Sequence, residues 1–456
     1  MRVNAIEPVT TVEVTGDGAG VTNQAGTRLL GEIASRLGVA GGLSDVLSST
    51  TSRSSAHDRG RVLTQLAMMI AAGGRAVSDL ATLRDRPELF GQVASDATAW
   101  RACHQLDDER IGEVVEVRQR ACRRLLAGRD EPLVLDVDAT LLNLHGEGKQ
   151  GAAATFKGTY GFAPMACFIE PLGLAAGMLR PGNATANHGG DQLTVIDEAI
   201  GALPANWRAG HRRGDDPSRV KRRLKVRADT AGGSKKMLAG LAARNLIFSV
   251  GMRTSDDAVA AIKDIDESAW QTAREADGHV RNGAQVAEWP DLVPAWAPHG
   301  TRAIVRRERP HPGASLRLWD YNGWRHQVTL TNDDDADITT LERFHRAHAQ
   351  VENRIKQLKD TGLSRLPFSD YDANRVWFEL VLLAALLLAG LRHLVADDPQ
   401  LAVAEPRRLR YTLLNVAARL TRHARRTYLK LDRSWPWTRH LVHAHQRLPQ
   451  LAAINA

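Results

Sequence analysis

Cysteine is scarce in this sequence, and its scarcity excludes small cross-linked or zinc-ribbon proteins. The 456 residues contain only Cys103, Cys122 and Cys167, which are far apart along the chain. A disulfide framework or a zinc ribbon needs more cysteines at closer spacing. Hydrophobic residues at 43% and charged residues at 25% are ordinary globular values and argue against a largely disordered chain. We therefore expect a globular protein of two to four domains in the reducing cytoplasm.

Long apolar segments are also lacking. The longest, residues 380–391, has 12 residues between Glu379 and Arg392, whereas a membrane span needs roughly 20. The first residues, MRVNAIEPVTTVEVTGDG, do not have the basic and then apolar pattern of a secretory signal. We therefore expect a buried helix at residues 380–391, and neither secretion nor a membrane partner.

Positive charge is concentrated in two segments. The chain has 60 Lys+Arg and 52 Asp+Glu, a net charge of +8. Residues 401–456 contain eleven Lys+Arg and two Asp+Glu, and residues 208–227 contain nine Lys+Arg and two Asp. Such segments commonly contact the phosphates of nucleic acids, since neutralised phosphates release counterions. The alternative for each segment alone is a solvated helix face.

The order of the hydrophobic patterns predicts three regions. Apolar residues at helical spacing predict a helical region at residues 1–130. Alternating apolar residues then predict a mixed α/β domain at residues 131–385, with a β-rich insertion at about 245–335. Residues 386–456 are predicted to form a basic helical region.

Two predicted strands of the α/β domain end in aspartates. Asp136 and Asp138 alternate on one strand, which places both carboxylates on the same face. Two like charges at the end of an apolar strand favour a site for a hard cation such as Mg²⁺ or Mn²⁺; a solvated strand edge or a turn cap is the alternative. Asp229 follows the strand in KVRADTAGG, where it is either a site residue or the N-cap of the next helix.

One predicted helix, from about residue 338 to residue 359, concentrates chemically active side chains. At about 100° per residue, His345, His348, Glu352 and Lys359 share one narrow stripe of this helix. Two imidazoles, a carboxylate and an ammonium group are rarely buried together in a hydrophobic core. Together with the two aspartate segments, the stripe supplies the third carboxylate of a two-metal phosphoryl-transfer site; a solvated helix face is the alternative.

These segments together resemble the DDE transposases of bacterial insertion sequences, and among them the group named after insertion sequence thirteen-eighty. The resemblance lies in LVLDVDATLL, KGTYGFAPMACFIEPLGLAAGMLRPGNA, VRADTAGG, HAQVENRIKQLKDTGLSRLPF and YDANRVWFELVLLAALLL, in this order. It implies an α/β fold: an RNase H-like mixed-sheet catalytic core with a β-strand insertion, flanked by helical N-terminal and C-terminal regions. Residues 1–130 are then implied to bind DNA.

The resemblance implies the catalytic residues one by one. Asp138, Asp229 and Glu352 are implied to be the metal-binding triad, and Asp138-Ala139-Thr140 matches the family pattern better than Asp136, which is implied to assist. On the helix that carries the catalytic glutamate, the family has Tyr and Arg where this chain has His345 and His348. The predicted DNA-binding residues are His345, His348, Lys359, Arg354, Lys356, Arg222, Arg223, Trp319 and Trp324. Trp319 and Trp324 bracket a predicted hairpin turn at Asn322 and Gly323, where a base of the cleaved end could stack; packing in the core of the insertion is the alternative.

The sequence thus predicts a DNA transposase that cuts and pastes its own element. Two Mg²⁺ or Mn²⁺ ions are implied as cofactors, and the partners are the terminal inverted repeats, the target DNA and a second copy of the chain in a synaptic dimer. The predicted location is the bacterial cytoplasm, associated with the nucleoid when bound to DNA. Two alternatives stay open: an inactive transposase-derived DNA-binding protein, and a plain metal-dependent nuclease.

Overall fold

The computed structural model describes residues 15–50, 57–144, 146, 148–310, 313, 320–334 and 337–452. The first part of the described chain is helical, as the sequence predicts. It contains a two-residue strand and a series of helices: β1 (Val21–Thr22), α1 (Thr27–Arg36), α2 (Val39–Leu47), α3 (Arg59–Ala71), α4 (Ala81–Arg84), α5 (Pro87–Phe90), α6 (Asp96–His104) and α7 (Asp108–Leu126).

Side-chain caps fix where these helices begin. The carboxylate of Asp58 accepts a hydrogen bond from the backbone N–H of Arg61 at the start of α3, and Asp107 caps α7 through Arg110 in the same way. An N-cap carboxylate satisfies a backbone donor that the first turn leaves free. Apolar residues at helical spacing, among them Leu63, Leu66 and Ile70 of α3, then pack into one core.

The next part of the chain alternates between strands and helices. It contains β2 (Val134–Ala139), β3 (Leu142–Asn143), β4 (Ala153–Ala154), β5 (Tyr160–Phe162), β6 (Met165–Glu170), β7 (Leu174–Met178), α8 (Gly189–Gly201), α9 (Ala205–Arg208), β8 (Lys225–Ala228), α10 (Lys235–Ala242) and β9 (Ile247–Met252). The strands predicted around LVLDVDATLL, FAPMACFIE, LAAGML, LKVRA and LIFSVGM are confirmed.

The predicted insertion continues with α11 (Asp256–Lys263), β10 (Gln271–Arg274), β11 (Val280–Glu288), β12 (Arg302–Glu308) and β13 (Arg325–Thr331). Within the part of the chain that the structure describes, nine strands form one sheet in the order β10-β11-β12-β13-β9-β8-β2-β6-β7. Strands β2, β8 and β9 are parallel, and the other neighbouring pairs are antiparallel. The strands of the insertion therefore extend the central sheet.

The predicted single helix over residues 338–359 is divided in the structure, so this prediction is wrong in detail. Helix α12 (Ile338–Arg346) ends before a 3₁₀ turn, Ala347–Ala349, and α13 (Gln350–Leu358) follows. Because a 3₁₀ turn advances about 120° per residue rather than 100°, the predicted common stripe is lost. His345 and His348 are buried, whereas Glu352 is exposed.

The predicted buried helix is confirmed as the centre of the helical packing. Helix α14 (Tyr371–Leu394) includes residues 380–391, and it contacts α1, α3, α7 and β7. By length and composition α14 could cross a membrane, but 83% of its most apolar stretch is buried inside the molecule. Arg118 of α7 is buried beside it and donates hydrogen bonds to Glu379 of α14 and Glu198 of α8. The apolar surface of α14 is therefore covered by the protein itself.

The C-terminal region is not wholly helical, which corrects the prediction. It contains α15 (Pro399–Ala402), α16 (Pro406–Leu409), the strands β14 (Ala418–His423) and β15 (Arg426–Leu431), and α17 (Thr438–Arg447). The two strands form an antiparallel hairpin whose β14 also pairs with β1. The turn residues Ala424 and Arg425 both have left-handed φ values, 46° and 66°. Neither residue is Asn or Gly, the usual signal for this turn, so the sequence does not reveal the hairpin.

Candidate active site

Asp136, in the middle of β2, forms a fully buried ion pair. Its exposed fraction is 0%, and Nε of Arg227 donates to Oδ1 at 2.8 Å while Nη2 donates to Oδ2. Arg227 lies on β8 directly beside Asp136 in the parallel register. His348 adds a third hydrogen bond from Nδ1, 2.9 Å from Oδ1 of Asp136. Since an ionised carboxylate only accepts, Nδ1 carries the proton of this imidazole.

Asp138, Asp229 and Glu352 come from three elements at the same edge of the sheet. Asp138 is near the C-terminal end of β2, and Asp229 directly follows the parallel strand β8. Oδ1 of Asp138 accepts from the N–H of Ala139 at 2.7 Å, and Oδ1 of Asp229 accepts from Ala231 at 2.9 Å. Asp229 is therefore an N-cap, of the 3₁₀ turn Thr230–Gly232. Ser234, rather than Asp229, caps α10.

Glu352 differs from the two aspartates because it lies on the exposed side of α13. Its carboxylate makes no hydrogen bond or ion pair with the residues that the structure describes. It therefore needs no protein partner to be displaced before it can bind a ligand.

Asp138 is influenced by both of the other carboxylates of the triad. Burial, then the charges of Asp229 and Glu352, raise the pKa of Asp138 to about 6; the N–H of Ala139 and His348 oppose this shift. Like charges at short distance disfavour ionisation unless a cation is present. The donor set thus consists of hard oxygen ligands with unfavourable mutual repulsion, which suits a divalent cation.

The carboxylates do not form a closed coordination shell as they stand. Among the described residues, no group of three or more His, Cys, Asp or Glu side chains has the arrangement of a metal site. Asp138 and Asp229 each turn one oxygen towards a nearby backbone N–H, that of Ala139 at the end of β2 and that of Ala231 in the 3₁₀ turn. The structure therefore brings the predicted triad to one edge of the sheet, with one oxygen of each aspartate hydrogen bonded to the backbone and the carboxylate of Glu352 exposed.

His345 and His348 point into the protein. The imidazole of His345 hydrogen bonds with Oγ of Ser249 on β9 at 3.1 Å, and burial together with His348 lowers the pKa of His345 to about 3. The rings of His345 and His348 are stacked with centroids 6.5 Å apart. Nε2 of His348 is buried and has no hydrogen-bond partner among the described residues. In this structure, neither ring is on the surface.

The three predicted DNA-binding cations Arg354, Lys356 and Lys359 have protein partners. Arg354 forms two hydrogen bonds to Glu170, at 2.7 and 2.6 Å, and Lys356 pairs with Glu405 at 3.1 Å. Nζ of Lys359 donates to the carbonyl of Leu141 at 3.1 Å, and burial lowers the pKa of Lys359 while Asp138 opposes this shift. The charge of Asp138 therefore acts on Lys359.

The predicted DNA-binding residues Arg222, Arg223 and Trp324 contact residues outside the triad. Arg222 pairs with Asp130 and lies over the ring of Trp207, and Arg223 pairs with Asp334 at 2.9 Å. Trp324 is half-buried, with the guanidinium of Arg309 4.0 Å from its ring centroid and that of Arg307 4.8 Å away. It follows the predicted Asn322–Gly323 turn, whose φ values are 51° and 73°. Trp319 lies outside the described residues.

Sequence reasoning missed the role of Arg227, which it counted only as one member of a basic segment. The missed signal is positional: Arg227 precedes Asp229 by two residues, as Asp136 precedes Asp138 by two. On adjacent parallel strands in register, these residues form two side-by-side pairs on one face. Asp136 and Arg227 form a buried ion pair. Asp138 and Asp229 are two carboxylates at the edge of the sheet.

Comparison with known proteins gives the family. The model described as "Transposase DDE domain group 1" matches residues 6–453. No curated protein matches the chain. Among solved structures, the chain is similar to piggyBac transposase in a cryo-EM structure of its synaptic complex with hairpin DNA, with 11% identity and a TM-score of 0.42, over 86% of this chain and 79% of that chain. DDE transposases depend on a divalent metal, act on DNA, cleave it and transfer its strands. The chain belongs to the DDE transposases of domain group 1 and is an enzyme of DNA transposition.

Proposed function

We propose that the chain is the transposase of a bacterial insertion sequence, of the group named after insertion sequence thirteen-eighty, and that it moves its element by cut-and-paste. The quoted motifs, which occur in the family order along most of the chain, support this finer assignment. The proposed location is the bacterial cytoplasm, at the nucleoid when DNA is bound. The proposed partners beyond DNA itself are the terminal inverted repeats, the target and a second copy of the chain.

The proposed catalytic core is RNase H-like. Five strands support this proposal: β2 at the centre, the antiparallel β6 and β7 on one side, and the parallel β8 and β9 on the other. Residues 131–385 would then form the catalytic domain with the insertion at about 245–335, between the DNA-binding residues 1–130 and the basic region 386–456.

The observation that carries the proposed mechanism is that the charges of Asp229 and Glu352 both act on the half-buried Asp138 at one edge of the sheet. Asp138, Asp229 and Glu352 would hold two Mg²⁺ or Mn²⁺ ions after the aspartate oxygens turn away from their backbone donors. When bound, the ions supply Lewis-acid activation of the attacking hydroxyl and stabilise charge on the phosphate. The chain contributes three oxygen-donor side chains from three elements that the folded sheet and α13 hold in position.

In this proposal Asp136 holds neighbouring parts of the site in position. Its ion pair with Arg227 fixes β2 against β8, and its hydrogen bond to Nδ1 fixes the ring of His348. The unprotonated Nε2 of His348 would then be available to accept a hydrogen bond from a water at the site. Lys359, close enough to influence Asp138, would contact the DNA backbone.

A strand-joining assay tests the proposal. Purified protein is incubated with duplexes that carry the genomic sequences flanking the gene, with Mg²⁺, Mn²⁺ or a chelator. We expect end cleavage and joined products with either metal and neither product with the chelator. Asp138→Asn, Asp229→Asn and Glu352→Gln should abolish both steps, whereas Asp277→Asn, an exposed carboxylate between β10 and β11, should retain them. Cleavage without joining would instead identify a nuclease.

A further inference from the structure

The hairpin of β14 and β15 is a two-sided ribbon. Directly opposed residues of an antiparallel pair project from the same face, so the register assigns each side chain to a side. The outer face, as we define it, carries the pairs Arg419 and Lys430, Thr421 and Tyr428, and His423 and Arg426. The inner face carries Ala418 and Leu431, Leu420 and Leu429, and Arg422 and Thr427. The apolar residues are thus confined to the inner face.

The ribbon carries uncompensated positive charge. Its cations, all exposed, are Arg419, Arg422, Arg425, Arg426 and Lys430, and residues 418–431 include no Asp or Glu. Across the residues that the structure describes, these five side chains form no ion pair or hydrogen bond. This contrasts with residues 222–227, where Arg222, Arg223 and Arg227 are all paired with aspartates. A free cationic surface of this kind fits a polyanion.

Protection of a sheet edge is the simplest alternative explanation, since Lys and Arg keep exposed edges from pairing with other chains. Edge protection, however, requires charge only along the free strand. Here the cations lie on both strands, and hydroxyl and imidazole groups occupy the outer face between them. Tyr428 is 42% exposed, although a large ring costs free energy in water. The outer face therefore has donors and acceptors as well as charge.

We propose that the outer face of this ribbon lies in the major groove of duplex DNA and reads base edges of the element's terminal sequence; this rests on the function of the chain in DNA transposition. A major groove about 12 Å wide admits a two-stranded ribbon, whose strands are about 4.8 Å apart. Side chains on one face recur every ~6.8 Å, which corresponds to about two base-pair steps of ~3.4 Å. The three outer pairs thus match the spacing of the bases.

The chemistry of the outer face suits base recognition. Arg419 and Arg426, at opposite ends of the face, can each donate two hydrogen bonds to the O6 and N7 atoms of a guanine. Thr421 and Tyr428, between them, supply hydroxyl groups that can donate or accept. Arg425, at the tip, is free to contact a phosphate.

The test is selection from synthetic duplexes with a randomised central segment, followed by sequencing of the bound fraction. The wild-type chain and the catalytic variant Asp138→Asn should enrich the same motif. Arg419→Gln and Arg426→Gln should each lose about five- to 150-fold of the preference at particular base positions, the range for one bidentate contact. Arg422→Gln, which removes the same charge from the inner face, should keep the motif. Unfolding curves show whether each variant is folded.

The outcomes separate this proposal from the catalytic one. If the outer-face variants keep the full motif, if inner and outer variants weaken all sequences alike, or if the wild type enriches no motif, base reading by the ribbon is overturned. Base reading by the ribbon would be supported if the outer-face variants lose the motif but still cleave DNA at saturating concentration. A failure of Asp138→Asn to block cleavage would overturn the catalytic assignment and leave the ribbon result unchanged.

Discussion

Asp136 and Asp138 are two residues apart on β2 but have opposite electrostatic environments. Asp136 is compensated by Arg227 and His348, whereas the charge of Asp138 is disfavoured by burial and by two further carboxylates. A buried carboxylate with a positively charged partner is compatible with a stable fold. A carboxylate without such a partner, and close to other carboxylates, lowers the stability of the fold. We interpret Asp138 as the metal ligand of the pair for this reason.

This interpretation predicts opposite effects of two matched substitutions on stability. Asp136→Asn leaves the charge of Arg227 buried without a counter-ion and should lower the free energy of unfolding by about 3 kcal/mol. Asp138→Asn removes repulsion and should raise it by about 1 kcal/mol, because ionisation is disfavoured at neutral pH. Urea denaturation at neutral pH without divalent metal measures both. The reverse order of stabilities would contradict our assignment.

His345 predicts a dependence of stability on pH. Its folded-state pKa, about 3, is below the value of about 6.5 of an unfolded histidine. Between these values only the unfolded state binds the proton, so the free energy of unfolding falls as the pH falls, by up to about 1.4 kcal/mol per pH unit. Urea denaturation from neutral to acidic pH should show a shallower loss for His345→Gln than for the wild type. His279→Gln, at an exposed site, should follow the wild type; equal slopes for His345→Gln and wild type would refute the effect.

At the scale of elements, two tight turns with consecutive left-handed residues make a matched comparison. Asn322 and Gly323 occupy two left-handed positions, and so do Ala424 and Arg425. Non-glycine residues pay about 1–2 kcal/mol in this conformation, which Asn tolerates better than Ala. Ala424→Asn should therefore raise the free energy of unfolding by about 1 kcal/mol, and Asn322→Ala should lower it by a similar amount. Chemical denaturation measures both; a loss of stability in Ala424→Asn would contradict the observed turn.

The same comparison explains which elements could be predicted from the sequence. Strands with alternating apolar residues and a turn with Asn-Gly were predictable, because local chemistry specifies them. The hairpin at residues 418–431 was not, since its turn has no such residues and tertiary pairing with β1 supports it. The 3₁₀ turn Ala347–Ala349 was not predictable for a similar reason. It turns His348 towards Asp136, a contact across 212 positions of sequence.

The candidate site was predictable in part as well. The sequence order of Asp138, Asp229 and Glu352 supports the resemblance, but the pairing of Asp136 with Arg227 depends on which strands are neighbours. Strand order is a property of the whole sheet, which no single segment encodes. The angle per residue places His345 and His348 on one side of a helix, but it does not tell whether that side is buried or exposed. Their burial could therefore not be predicted.

At the scale of the whole molecule, the basic segments divide into paired and unpaired cations. Arg212 and Arg213 are exposed and make no ion pair with the described residues, whereas Arg222 pairs with Asp130. Binding to non-specific duplex DNA should lose about 0.9 of its log–log salt slope for each phosphate contact removed. We expect this loss in Arg212→Gln and in Arg213→Gln, and a smaller one in Arg222→Gln. An unchanged slope in the first two variants would identify solvated surface.

The central claim is that Asp138, Asp229 and Glu352 bind the divalent metal directly, and metal rescue of thiol variants tests it most directly. Thiolate is a soft ligand that Mn²⁺ accepts more readily than Mg²⁺. The native Cys103, Cys122 and Cys167 are buried and should not compete. Strand cleavage is measured for Asp138→Cys, Asp229→Cys, Glu352→Cys and the control Asp136→Cys. We predict that the three triad variants are inactive with Mg²⁺ and regain cleavage with Mn²⁺, while Asp136→Cys shows no such metal preference. Rescue of Asp136→Cys with no rescue of Asp138→Cys would contradict the account.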